Sequence, residues 1–242
     1  MTNFTIEITS DPVCPWCYIG KKRLDRAISL YQRVYPGGRD DTFTINWRAF
    51  FLDPNAPAKG ISWDERHEQR FAARRAANPL DGKGNSDPNA LRNRLASIGR
   101  AEGVVFSFAG KTGHTRPAHR AIWYAKTKGV QEEFVMALFA DYFEGEGDVT
   151  SYESLADTAA KVGLDRGETL KWLESGKGTK EVDEDARSAV ERGLKGVPNF
   201  TIEEQLVEGA QDEQAFMEVF VKIKEDEANA VPDGSVGSTI IT

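Results

Sequence analysis

Cys14-Pro15-Trp16-Cys17 holds the only two cysteines of the 242-residue chain. Two thiols in this spacing can exchange electrons with a disulfide: one sulfur attacks, the other resolves the mixed disulfide. The motif follows an apolar segment that alternates as a strand does (Phe4-Thr5-Ile6-Glu7-Ile8) and opens a segment with helical periodicity (Lys21 to Tyr35). At a helix start, unpaired N–H groups and the positive end of the macrodipole favour negative charge. That suits a thiolate, the nucleophilic form of cysteine. Cys14 lies nearer the helix start and reads as the attacking sulfur, with Cys17, one turn further in, as the resolving one. Two other readings stay open. A CxxC can be half of a zinc site, with His114 and His119 as the other half, although zinc modules keep their ligand pairs closer in sequence. The cysteines could also be small buried hydrophobes, against which the helix-start position argues.

The chain around this motif has an ordinary globular composition, 40% hydrophobic and 29% charged. A net charge of −7 and the lack of a basic run interleaved with aromatics give no footprint for nucleic acid. No stretch reaches the ~20 apolar residues that span a bilayer, so no membrane partner is expected. Met1-Thr2-Asn3-Phe4 runs straight into a strand without a basic and then apolar leader. The expected location is the cytoplasm, where a lone CxxC is more often catalytic or metal-binding than a structural staple.

The elements that would hold the motif fall into sections. Leu24, Ala27, Ile28, Tyr31 and Val34 form one helical stripe that Pro36-Gly37-Gly38 ends, and Thr42 to Phe50 alternates as a strand. Strand, helix and strand suggest a parallel βαβ unit. From Ile61 to Arg192 the pattern is almost wholly helical, with helices expected at Trp63–Ala77, Asn89–Gly103, Pro117–Lys128, Gln131–Glu144, Tyr152–Val162, Arg166–Glu174 and Glu181–Arg192. A loop rich in Pro, Gly and Asp (Asn78 to Asp87) interrupts them. Gly163 and Gly193 stand where C-caps are expected. Strand signals return at Asn199–Ile202 and Leu206–Glu208, followed by a helix from Asp212 to about Asp226. The fold expected is α/β, a thioredoxin-like sheet with a large all-helical insertion. Residues 1–60 and 194–227 form the two parts of the sheet domain, 61–193 the helical lid, and 228–242 a loosely ordered tail whose Ile240-Ile241 end could dock on a groove.

Ser10-Asp11-Pro12-Val13-Cys14-Pro15-Trp16-Cys17-Tyr18-Ile19-Gly20-Lys21 resembles the active-site segment of DsbA-like thioredoxin-fold proteins of the FrnE type. Those proteins are related to 2-hydroxychromene-2-carboxylate isomerases and kappa-class glutathione transferases. Further matching segments are Trp47 to Pro54, Thr115 to Arg120, Gly196 to Phe200 and Val207 to Gln211, all in order. The resemblance implies that Pro198 is cis and faces the dithiol. It also implies that the Val197 backbone can pair with an extended substrate, and that a homodimer can form. Transferases and isomerases of this kind usually carry serine where Cys14 stands; with both sulfurs present a full thiol–disulfide cycle is available. DsbA itself has histidine inside its CxxC, where this chain has Trp16, so its strongly oxidising character does not carry over.

The expected activity is therefore a protein disulfide oxidoreductase of the DsbA-like kind. Its substrate is a protein or small-molecule thiol or disulfide, with Cys14, Cys17, Pro15, Trp16 and Pro198 as the catalytic set. The alternative is a glutathione-dependent isomerase or transferase acting on an aromatic or polyketide-like compound. No tightly bound cofactor and no metal are expected, with glutathione the one candidate ligand. Besides Val197, three residues are candidates for substrate contact. His119, near a helix start, could stabilise a thiolate or simply pack against Trp123. Gln211 and Asp212 open the last helix, whose free N–H groups could bind a carboxylate or simply be capped by Asp212. Trp16 could be a contact platform. The aromatics Phe134, Phe139, Tyr142 and Phe143 read as core, and the runs Asp64-Glu65-Arg66 and Glu181 to Asp185 as solvated faces.

Overall fold

The computed structural model describes residues 1–77 and 88–230. The chain begins with strand β1 (Asn3–Ser10), helix α1 (Pro15–Val34) and strand β2 (Thr42–Ala49). There follow β3 (Ile61–Ser62), α2 (Trp63–Ala77), α3 (Pro88–Ala101), β4 (Lys111–Thr112), α4 (Arg116–Thr127) and α5 (Gln131–Phe143). Then come α6 (Tyr152–Lys161), α7 (Arg166–Glu174) and α8 (Thr179–Glu191), and finally β5 (Asn199–Ile202), β6 (Gln205–Glu208) and α9 (Glu213–Ala230).

The main sheet has the order β2-β1-β5-β6. β1 and β2 pair in parallel from Asn3↔Thr42 to Ser10↔Ala49, while β5 runs antiparallel to β1 and β6 antiparallel to β5. This is the thioredoxin-like α/β sheet expected, with the helices α2 to α8 inserted between β2 and β5. Central strand β1 buries Phe4, Ile6 and Ile8 completely, as the period-two pattern requires. Phe4 stacks on Phe43 at 4.9 Å and meets Tyr31 edge-on at 5.5 Å and Phe220 at 5.3 Å. One aromatic knot thus ties β1, β2, α1 and α9. On the insertion side, Tyr18 stacks on Phe139 and Phe143 of α5, at 5.2 and 5.8 Å. These are the aromatics read as core.

β2 is a sheet edge, and at its C-terminal end, Trp47 and Ala49, side chains rather than a strand satisfy it. Trp47 N–H donates to the Gln131 side-chain oxygen at 3.2 Å, and the Gln131 amide donates back to Trp47 O at 3.3 Å. Two residues on, the Ala49 N–H donates to the Asp185 carboxylate. An edge whose groups are already satisfied is a poor template for another chain.

Several boundaries differ from the sequence reading. The first helix starts at Pro15 rather than Lys21, with Cys14 as its N-cap and proline in the first turn, where a missing N–H costs nothing. Cysteine is not among the preferred capping residues, so the signal was weak. The last helix runs to Ala230, past the expected Asp226. The two-residue strands β3 and β4 were not expected, since a pair of residues carries no readable period. Gly163 and Gly193 have φ of 85° and 86°, the left-handed conformation of C-caps. The loop Asn78 to Asp87 and tail residues 231–242 lie outside the described residues. No helix among the described residues is long and apolar enough to cross a membrane.

Candidate active site

The site is built where β1 turns into α1. Asp11 O accepts from Cys14 N–H at 2.9 Å, closing a turn, and Cys14 O accepts from Cys17 N–H at 3.0 Å, the first bond of the helix. Cys14 therefore sits at the mouth of the helix and Cys17 one turn in. Both are free thiols, 3% and 0% exposed. Burial pushes the Cys17 thiol well above its ordinary range, and hydrogen bonding and charge from the adjacent Cys14 sulfur push it further. The Ser10 hydroxyl and the Asp11 N–H donate to the Cys17 sulfur and partly oppose this.

Across from the dithiol, the Val197–Pro198 peptide is cis, and the Cys14 thiol donates to Val197 O at 3.5 Å. α1 can lie this close to the loop because of Gly20. A Cβ there would meet Phe200 at 3.0 Å and Pro198 and Ala210 at 3.3 Å each. A cavity of about 360 Å³ opens on Cys14. Pro15, Trp16, Val13 and Val197 line it with Cys14, and Trp63, Arg66, His67 and Arg70 of α2 line it as well. Pro15, Trp16, Val197 and the two cysteines are therefore brought together, with buried Pro198 packed behind them.

The remaining candidates lie elsewhere. His119 is buried, and its Nε2 bonds Phe50 O at 3.1 Å. Its ring lines a separate cavity of about 420 Å³ between β2, α4 and α8, so it does not face the dithiol as one reading had it. Gln211 donates to Glu208 O at 2.7 Å, and the Asp212 carboxylate accepts from Ala215 N–H at 3.0 Å. Asp212 is thus an N-cap, and neither residue lines the Cys14 cavity. His114 Nδ1 accepts from Arg116 N–H at 3.1 Å. Among the described residues no group of three or more His, Cys, Asp or Glu is placed to hold a metal ion.

Two features escaped the sequence reading. The first is Asp11, 1% exposed, whose carboxyl accepts from Leu52 N–H (2.8 Å), Val13 N–H (3.4 Å) and the Thr115 hydroxyl. Burial outweighs those bonds and raises its pKa from 3.8 to about 6. His119 Nε2 lies 4.0 Å from this carboxyl, yet burial lowers the imidazole from 6.5 to about 4. The opposed shifts disfavour the charged pair: burial favours the neutral carboxyl of Asp11 and the neutral imidazole of His119. They are neighbours and not an ion pair. The second feature is Arg66, read as part of a solvated run. Asp64 and Glu65 are exposed, but Arg66 is half-buried, lines the cavity and pairs with Asp53.

With this geometry in hand, comparison with known proteins is direct. Residues 5–221 match the model of the DSBA-like thioredoxin domain. A probable DsbA oxidoreductase from Streptomyces coelicolor is similar in structure with a TM-score of 0.74 at 26% identity, covering 92% of this chain and 91% of that one. A 2-hydroxychromene-2-carboxylate isomerase shares the fold at TM-score 0.59 and 20% identity, over 93% and 98% of the two chains. The cytosolic disulfide reductase DsbM from Pseudomonas aeruginosa, solved with glutathione, does so at 0.56 and 16%, over 93% and 99%. A family match spanning this much of the chain decides the matter: the protein belongs to the DSBA-like thioredoxin domain family.

Proposed function

We propose that this chain is a cytoplasmic thiol–disulfide oxidoreductase of the FrnE type that cycles through the Cys14–Cys17 dithiol. The observation that carries the reading is that Cys14 alone of the two sulfurs lines the cavity, while fully buried Cys17 lies against it. In the oxidising direction, the Cys14 thiolate attacks a substrate disulfide RS–SR′, forming Cys14–S–S–R and releasing R′S⁻. Cys17 then loses its proton and attacks the Cys14 sulfur, releasing RS⁻. The enzyme loses two electrons, and its two thiol protons end on RSH and R′SH. The reverse sequence reduces the enzyme.

The electrostatics suit this order. While Cys14 is free, its sulfur helps to keep Cys17 protonated. Once Cys14 is tied up in a mixed disulfide that contribution is gone, and the Ser10 and Asp11 donors remain to receive the Cys17 thiolate. Pro15 and Trp16 shape the loop. Val197 and Pro198 form the ledge on which an extended substrate would pair by strand addition, and residues 61–193 act as the lid.

A second reading, a glutathione-dependent isomerase or transferase, draws support from the likeness to the isomerase and from a cavity large enough for a small ligand. Cys17→Ser separates the two. An oxidoreductase with this substitution accumulates a stable Cys14 mixed disulfide, seen as a mass adduct reversed by dithiothreitol, and stops turning over. Continued turnover of a small electrophile in Cys17→Ser would instead support the isomerase or transferase. In the oxidoreductase reading Cys14→Ser abolishes both the adduct and disulfide turnover.

A further inference from the structure

On α2 the cavity carries two guanidiniums, Arg66 and Arg70, that share a single surface carboxylate, Asp53. Asp53 pairs with Arg66, and the same carboxylate oxygen lies 3.9 Å from Arg70 Nε. Two guanidiniums thus share one carboxylate. The Arg70 side chain is 61% exposed, against 17% for Arg66. Burial and the charge of Arg70 together lower the pKa of Arg66, as expected of two neighbouring cations. The other acid on this cavity, Asp11, is buried, spends its carboxyl hydrogen bonds on the amides of Val13 and Leu52 and on Thr115, and feels the charge of Arg70 as a coulombic attraction. His67, stacked on Trp63 at 5.1 Å, leaves its buried Nε2 without a partner. Trp63, Leu95 and Tyr142 add apolar lining to the same cavity.

We infer that the disulfide exchanged at Cys14 is a small one that carries a carboxylate on a short apolar arm, and that Arg66 and Arg70 of α2 recognise that carboxylate. The inference rests on the oxidoreductase reading and names its substrate class. A guanidinium offers a carboxylate paired donors in a planar fork. Arg66 is held in place by Asp53, so less freedom is lost on binding, and the exposed Arg70 is the cation available to the incoming charge.

The test compares three small disulfides on the reduced protein: anionic dithiodiglycolate, neutral bis(2-hydroxyethyl) disulfide and cationic cystamine. Leaving-group pKa values differ among them, so the readout is each compound's rate divided by that of the neutral one, compared across variants at low ionic strength. In Arg70→Gln the anionic-to-neutral ratio is expected to fall roughly fivefold, the effect of about 1 kcal/mol for a partly exposed charge. The cationic-to-neutral ratio should rise. Arg70→Glu should carry both changes further, and Arg70→Lys should restore the wild-type ratios in large part. Added salt should flatten the differences. Ratios that stay the same across all variants would overturn the inference while leaving the oxidoreductase reading intact. A wild-type protein that none of the three disulfides oxidises would overturn that reading and the inference with it.

Discussion

The residues that matter most differ in how openly the sequence displays them. Cys14 and Cys17 stand out because cysteine is otherwise absent and their spacing is chemically specific. Asp11 sits three positions earlier in the same segment and carries no such mark: an aspartate before a proline reads as turn chemistry. Only the closing of residues 50–52 and Thr115 over its carboxyl makes it a buried acid with a pKa of about 6. The consequence is measurable. Because the folded state holds the Asp11 proton more tightly than the unfolded chain does, this group makes stability fall as pH rises between about 4 and 6. His119 does the opposite. Its folded pKa of about 4 lies below 6.5, so the unfolded chain binds more protons and stability rises with pH across the same window. Each slope is worth about 2 kcal/mol between pH 4.5 and 6.5, and in the wild type they largely cancel. Urea midpoints of Asp11→Asn should therefore climb over that range relative to wild type, and those of His119→Gln should drop. Parallel profiles for all three proteins would contradict the two shifts.

At the scale of elements, the long periodic segments were legible and the short or irregular ones were not. α5 and α7 keep the expected bounds to within a residue: α5 buries Phe134, Leu138, Phe139 and Tyr142 at helical spacing, and α7 starts on the Asp165 N-cap, which accepts from Glu168 N–H. The start of α1 was displaced because the motif itself, Pro15 to Gly20, occupies the first turns and hides the stripe. Gly20 shows what that segment does besides chemistry. Its missing side chain lets α1 approach Phe200 and Pro198, which sets the dithiol against the Val197 carbonyl. Gly20→Ala removes about 1 kcal/mol of helix-propensity cost but inserts a methyl at 3.0 Å from a fully buried ring. Overpacking of this kind costs about 1–3 kcal/mol, so the net expected change is a loss of up to 2 kcal/mol. Denaturant unfolding checks it, together with slower disulfide exchange if the ledge shifts. A more stable variant with unchanged exchange would show that the approach is not tight.

For the molecule as a whole, the division into a sheet interrupted by helices was readable from the switch between periods of two and 3.6 residues. The cavity wall was not, because it depends on where α2 lands. A chain of net charge −7 gives no hint that Arg66 and Arg70 line the cavity of its nucleophile; such placement appears only in three dimensions. The fold places Cys14 at a helix mouth, buries Cys17 behind it and sets the Val197–Pro198 ledge and α2 around the opening. That assembly makes sense as a reversible two-electron centre. The most direct test is to equilibrate the protein in glutathione buffers of graded potential, trap free thiols by alkylation and read the mass. The account predicts one transition in which both thiols disappear together, with a midpoint between about −270 and −120 mV, the span of thioredoxin-fold enzymes. A pair that stays reduced throughout, or that stops at a stable glutathione adduct on Cys14, would contradict it.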